Sequence, residues 1–190
     1  MRAGEAVIWG ALAGVPDPEL PFVSVVELGI VRAVEPIPDV APARGITPVP
    51  GVDPIPATAR WRVVVTPTFS GCPATRVIEA DIRTALDAVA PGACEIVTRL
   101  APPWSTDAIA PEARRKLAQA GIAPPALRCT AAAVTRSGAA AALARGAAAV
   151  ACPRCDSQRT REVSRFGSTP CKAQFRCEDC LEPFDHFKPH

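Results

Sequence analysis

The chain has 190 residues and a formal net charge of only +2, enough for one medium domain plus a small module. Lys and Arg against Asp and Glu run 12 to 13 over residues 1–130, 2 to 0 over 131–151 and 7 to 6 over 152–190. No segment therefore carries the positive excess that phosphate-driven nucleic-acid binding needs. No run of about eighteen uninterrupted apolar residues occurs, which argues against a membrane-spanning helix.

The N-terminal stretch is broken by glycines and runs into an acidic Pro-rich turn, so it reads poorly as a signal peptide. The expected compartment is then the reducing cytoplasm, and the eight cysteines read as metal ligands or reactive thiols rather than disulfides.

In chain order, a short amphipathic segment at 4–12 precedes the turn Pro16-Asp17-Pro18-Glu19-Leu20-Pro21. A β-type run follows at 29–35. Residues 35–59 are too dense in proline for a helix or a central strand and read as an exposed excursion of polyproline character. Trp61-Arg62-Val63-Val64-Val65-Thr66 is β-branched and apolar, a buried strand by composition. A helix is expected from Pro73, at its first position, carrying Ile78, Ile82, Ala85, Leu86 and Val89 on one face until Pro91-Gly92.

A third strand is expected at 94–100 and a second full helix at 111–120, with Gly121 as its C′ residue. These elements predict an α+β fold, a small mixed sheet with covering helices, over residues 1–129, with a Pro-rich insert at 36–58. Residues 130–151 are Ala-rich, with Leu143 as their one large apolar side chain. They cannot bury a face of their own and read as a linker, transiently helical because Ala favours helix.

Residues 152–190 are expected to form a zinc ribbon. Cys152-Pro-Arg-Cys155 and Cys177-Glu-Asp-Cys180 are two C-x2-C knuckles with 21 residues between them. Each knuckle sets two thiolates on one side of a tight turn, and two facing knuckles close a tetrahedral S4 site. Bound Zn²⁺ supplies the folding free energy that so small a core lacks. A closed site has no open coordination position, so its role is structural. An iron centre of rubredoxin type is the alternative occupant, and His186 or His190 could stand in for a cysteine. Four ionised thiols and one Zn²⁺ would bring this segment from +1 to about −1.

Four thiols lie outside that set of ligands, Cys72, Cys94, Cys129 and Cys171, and the roles of the last three are open. Cys171, in Gly167-Ser168-Thr169-Pro170-Cys171-Lys172, reads either as a small buried residue near the metal or as an accessible thiol activated by Lys172 and the zinc field. Cys72 follows Thr68-Phe69-Ser70-Gly71 and precedes Pro73, a strand–turn–helix in which unpaired helix N–H groups would favour a thiolate. Such a thiolate can be a nucleophile, a sulfur carrier or a metal ligand, and the plainer reading is a capping position. Asp17 and Glu19 either cap the following element or add oxygen ligands to a metal shared with Cys72. No Cys/His/Asn set for protease-type catalysis is present, because the two histidines are both C-terminal.

Asp17-Pro18-Glu19-Leu20-Pro21, Glu27-Leu28-Gly29-Ile30-Val31 and Thr68-Phe69-Ser70-Gly71-Cys72-Pro73-Ala74 resemble the signature of the small domain of cytosolic iron–sulfur assembly factors. Pro102-Pro103-Trp104-Ser105-Thr106-Asp107, Gly121-Ile122-Ala123-Pro124-Pro125, Phe166–Lys172 and Glu182-Pro183-Phe184-Asp185 extend the resemblance to the PaaD (PaaJ) family. That family comprises accessory proteins of the bacterial phenylacetyl-CoA epoxidase in aerobic phenylacetate breakdown.

The resemblance implies a non-catalytic maturation factor that assembles the iron–sulfur cluster of the epoxidase reductase or the di-iron site of the oxygenase. By the same resemblance Cys72 would be the functional thiol. Beside the structural Zn²⁺ of the ribbon, the expected cofactor is a transient Fe or Fe–S cluster, and Asp17, Glu19, Ser70 and Cys171 are the further candidates for cluster or metal transfer. The implied partners are the reductase or oxygenase components, with a homodimer allowed. The other readings are a stoichiometric structural subunit of the oxygenase and a zinc-ribbon nucleic-acid binder, which the near-neutral charge disfavours.

Overall fold

The computed structural model describes residues 3–37, 60–69, 71–126 and 150–189. The insert at 36–58 and the Ala-rich segment at 130–151 therefore fall almost entirely outside the described residues, as do Ser70, Cys129 and His190. Two units emerge. The first takes in most of the chain up to Pro103, and the second takes in Glu27–Gly29, Thr68–Cys72 and Trp104 onward.

In the first unit, helix α1 (Ala3–Ala13) buries Ile8 and Leu12, one turn apart on one face. It can start close to the indole of Trp61 because Gly4 has no side chain: a Cβ there would lie 3.0 Å from Trp61 Cζ2. Strands β1 (Val31–Ile37), β2 (Arg60–Val65) and β3 (Cys94–Thr98) form a mixed sheet in the order β1-β2-β3. β1 runs antiparallel and β3 parallel to β2. Helix α2 (Thr75–Val89) makes the crossover that a parallel pair requires. Its buried Ile78, Ile82 and Leu86 form the expected stripe at four-residue spacing. Val63, Val64 and Val65 are all buried, the continuous apolar run of a central strand.

The second unit holds the turn of 3-10 helix Thr106–Ala108, helix α3 (Pro111–Gln119) and a four-stranded sheet. Its strands are β4 (Ile122–Ala123), β5 (Thr160–Ser164), β6 (Lys172–Cys177) and β7 (Pro183–Phe187), in the order β4-β7-β6-β5. Trp104 is buried and donates its Nε1–H to Leu28 O at 2.9 Å, and its ring lies 6.2 Å from that of Phe187. Arg114 ties three carbonyls together, those of Thr106, Ile109 and Pro125. Trp104 and the carbonyl of Thr106 therefore serve packing in this unit.

Several boundaries move for identifiable reasons. β1 begins at Val31 rather than 29, because Gly29 adopts φ +68, outside the range of a strand. β3 ends at Thr98 instead of 100. α3 starts at Pro111 and is followed by Gly121 at φ +78, which matches the expected proline start and glycine stop. α2 begins at Thr75, with Ala74 at its N-cap position, so Pro73 is not its first residue. β4 is an addition that no sequence pattern predicts. It lies ahead of residues 130–151 yet pairs parallel with β7, Ile122 against Asp185 and Ala123 against His186. The ribbon's sheet thus draws strands from both sides of the Ala-rich segment.

Two glycines at nearly the same φ separate conformational strain from crowding. A Cβ on Gly29 would lie 2.6 Å from Ala108 O, whereas one on Gly92, at φ +67, meets nothing within 4 Å. Gly92→Ala should cost about 1 kcal/mol, the left-handed penalty alone. Gly29→Ala should cost about 3 kcal/mol because overpacking is added. Denaturant unfolding of the two variants measures this, and equal losses would show that the Ala108 contact relaxes freely.

Candidate metal centre and thiol sites

The register of the ribbon brings its two knuckles together. β5 and β6 pair antiparallel with Thr160 opposite Cys177, so the chain just after the first knuckle lies beside the start of the second. Glu178 N–H donates to Arg159 O at 2.8 Å, Arg159 Nη1 lies 2.9 Å from Asp179 Oδ1, and Ser157 Oγ also bonds Asp179. The two knuckles repeat one backbone design. The N–H of each first cysteine donates to the carbonyl five residues on, Cys152 to Ser157 O at 2.9 Å and Cys177 to Glu182 O at 3.0 Å. The residue four positions after each first cysteine is left-handed, Asp156 at φ 58 and Leu181 at φ 65.

The four Sγ atoms all lie within 4.8 Å of one another. Cys152 and Cys180 are 3.7 Å apart and Cys155 and Cys177 are 3.6 Å apart. A tetrahedral site with Zn–S near 2.3 Å has S···S edges of about 3.8 Å, and these two edges match it, so the cage is of the size that Zn²⁺ takes. The sulfurs otherwise compete for protons. The backbone N–H of Cys180, with that of Asp179, draws Cys177 down to about 6. The Ser157 N–H favours ionised Cys155, but desolvation and sharing with Cys180, Cys177 and Cys152 push it up to about 12. Four thiolates this close need a cation to be ionised together at neutral pH. Among the described residues, these cysteines form the one group of three or more His, Cys, Asp or Glu placed to hold a metal.

His186 does not join that cage. Its buried ring donates Nδ1–H to Ala123 O at 3.1 Å and meets Phe175 edge-on at 5.4 Å. Burial holds its pKa below the ordinary histidine value. It fastens β7 to β4.

Cys171 sits away from the four-cysteine cage. It precedes β6, while Cys177 ends it, so six residues of strand put about 20 Å between their Cα atoms. Neither proximity to the metal nor a zinc field describes it. Its half-buried thiol lies 3.0 Å from Thr169 Oγ1. Lys172, the expected activating cation, is buried with its Nζ 4.0 Å from Asp185 Oδ2, and Ser168 Oγ donates to the same oxygen at 3.2 Å. This Ser168–Asp185–Lys172 cluster carries no spacing signal in the sequence, because it forms only across the β6–β7 register.

Cys72 lies in the turn between β2 and α2, half-buried, with its N–H donating to Phe69 O at 3.1 Å. Phe69 is exposed, and its ring closes over Gly71, where a Cβ would come within 3.0 Å. Because α2 is capped at Ala74, Cys72 stands two residues ahead of the cap. It is therefore not the N-cap residue of α2. Asp17 is buried, and its Oδ1 accepts the N–H groups of Glu19 and Leu20, both at 2.9 Å. That is the turn-capping role of an acidic residue between prolines. Cys94 is buried at the start of β3, where desolvation raises its thiol pKa although Arg83 pulls the other way.

Fold and site together define an α+β protein with a C-terminal four-cysteine zinc ribbon. The PaaD zinc beta ribbon domain matches residues 136–188. An Escherichia coli (strain K12) protein, described as a subunit of 1,2-phenylacetyl-CoA epoxidase, is 36% identical over 181 residues, covering 95% of this chain and 90% of that protein. The crystal structure of a domain of unknown function, DUF59, from Bacillus anthracis is similar at 26% identity and a TM-score of 0.46, covering 60% of this chain and 92% of that one. The chain belongs to the PaaD family. No helix among the described residues is long and apolar enough to cross a membrane.

The zinc ligands and Cys171 should separate cleanly by metal content. Wild-type protein should hold one zinc per chain, Cys152→Ala and Cys177→Ser should lose it along with cooperative unfolding of the ribbon, and Cys171→Ala should keep it. Elemental analysis of the purified proteins checks this. Loss of zinc from Cys171→Ala would overturn the placement of Cys171 away from the metal.

Proposed function

We propose that this protein is a non-catalytic maturation factor of a phenylacetyl-CoA epoxidase, serving the iron–sulfur cluster of its reductase or the di-iron site of its oxygenase. The observation that carries the reading is the extent of the likeness to the Escherichia coli epoxidase protein. It spans 95% of the chain and so takes in the Cys72 turn as well as the ribbon. The donor inventory supports it. The S4 cage of the ribbon has no open position for a substrate, which leaves the ribbon a structural or docking role.

Cys72 is the thiol we assign to handling iron or a cluster, in a short turn flanked by an exposed phenylalanine. Its proton would leave to solvent as it takes the metal, and a ligand of the client would displace it on transfer, so the exchange needs no change of oxidation state. Cys171, Ser70 and Glu19 are secondary candidates around the same task. Asp17 would contribute by shaping its turn. The cytoplasm is the compartment that suits such chemistry.

The test is to produce the epoxidase components together with the wild-type chain or with Cys72→Ala and to assay iron and acid-labile sulfide in each component. A clear loss in one component is expected, since a transfer site stripped of its thiolate ligand no longer holds the metal. Equal metal content in both preparations would sink the assignment of Cys72.

A second reading, a stoichiometric structural component of the oxygenase, is favoured by the relative's own description as a part of the epoxidase. Stable co-purification at fixed stoichiometry supports it, and transient association supports the maturation factor.

A further inference from the structure

The mixed sheet of the first unit ends at β3, whose far side is paired with no strand among the described residues. Trp61 N–H donates to Ala93 O at 2.8 Å and Arg99 N–H to Val65 O at 2.9 Å. These bonds fix the alternation of the parallel ladder. Residues 93, 95, 97 and 99 turn their backbone groups toward β2, and Cys94, Ile96 and Thr98 turn theirs outward. The Arg83 guanidinium agrees with that direction by donating to Cys94 O at 2.7 Å. It covers that carbonyl alone. Beside Ile96 and Thr98 an open groove of about 590 Å³ runs along the edge, walled by Arg76, Glu79, Ala80 and Arg83 of α2.

A bare edge invites another strand, and the side chains of β3 select which one. The register places Glu35 opposite Arg62 and Arg62 opposite Glu95, a row of alternating charge across the sheet that stops at the edge. Four residues further on, Arg99 shares the face of Glu95. If two copies of β3 pair antiparallel about Val97, Glu95 of each copy stands opposite Arg99 of the other, and the row continues through the interface. Within one copy Glu95 already pairs with Arg62, and Arg99 reaches Glu35 at 3.4 Å. Both side chains stay more than a third exposed, so the contacts between copies would extend these pairs into one network.

The same register sets Ile96 opposite Thr98 of the second copy. These residues have outward-facing N–H and C=O groups, so each pair exchanges two hydrogen bonds and the interface gains four. Registers centred on Glu95 or Arg99 oppose like charges, and those centred on Ile96 or Thr98 leave the charges unmatched. One register alone satisfies both the backbone and the charge.

We propose that the protein self-associates through β3, forming a continuous six-stranded sheet across a two-fold axis with Val97 at its centre. The pairing is isologous, as a two-fold interface must be. With only four backbone bonds at its core it belongs with weak, concentration-dependent dimers.

Sedimentation of the full, zinc-loaded chain over a range of concentrations tests it. The wild type is expected to pass from monomer to dimer. Ile96→Pro removes an outward N–H that β2 does not use, so it should give a monomer with an unchanged circular dichroism spectrum. Glu95→Arg and Arg99→Glu each place like charges across the interface and should weaken association by about tenfold. Mixing those two variants pairs opposite charges again and should restore a mixed dimer. A wild type that stays monomeric at every concentration overturns the proposal. So does a dimer that survives both Ile96→Pro and the charge reversals. Should Ile96→Pro fail to fold, the mixing experiment decides by itself, since restored association has no explanation in damage to either chain.

Discussion

Four sulfur atoms held within 4.8 Å of one another are the constraint on which the C-terminal half of this protein depends. Around Cys152 and Cys177 the buried cluster holds only Ala123 and Phe184, with Val150 and Phe175 partly buried against it. Such a cluster contributes little against the backbone entropy of forty residues. The register of β5 on β6, the bonds of Asp179 and the two left-handed residues all place thiols in space. Without a shared cation the ribbon would lose the coordination energy that offsets that entropy.

The first unit has a different logic. A central valine strand, a helix with a regular apolar stripe and an indole received against a glycine give it a conventional core that needs no metal. The two halves thus divide two ways of stabilising a small fold, burial in one and coordination in the other. The thiols follow the same division. Cys152, Cys155, Cys177 and Cys180 form a closed set, Cys94 is core, and Cys72 and Cys171 are the half-buried ones.

Much of this is legible in the sequence where one physical rule dominates. The knuckles announce themselves by spacing, α3 by its proline and glycine, and α2 by its stripe. The start of α2 is ambiguous because proline suits both the first turn of a helix and the turn before it. Sequence separation misplaces Cys171, because six residues of strand reach far while six residues of turn do not. β4 is not legible at all. Two residues carry no periodicity, and their conformation is dictated by β7 and the Nδ1 proton of His186. The Lys172–Asp185 pairing escapes for the same reason.

That short strand bears on how the protein can be taken apart. The Ala-rich stretch looks like the natural place to cut, and a fragment beginning near Val150 would retain every zinc ligand. It would also leave behind Ile122 and Ala123, stripping β7 of its neighbour and exposing the buried edge of His186 beside Phe175. The coordination sphere and the sheet therefore have different minimal lengths of chain. A ribbon excised at the Ala-rich stretch would be complete as a metal complex and incomplete as a folded surface.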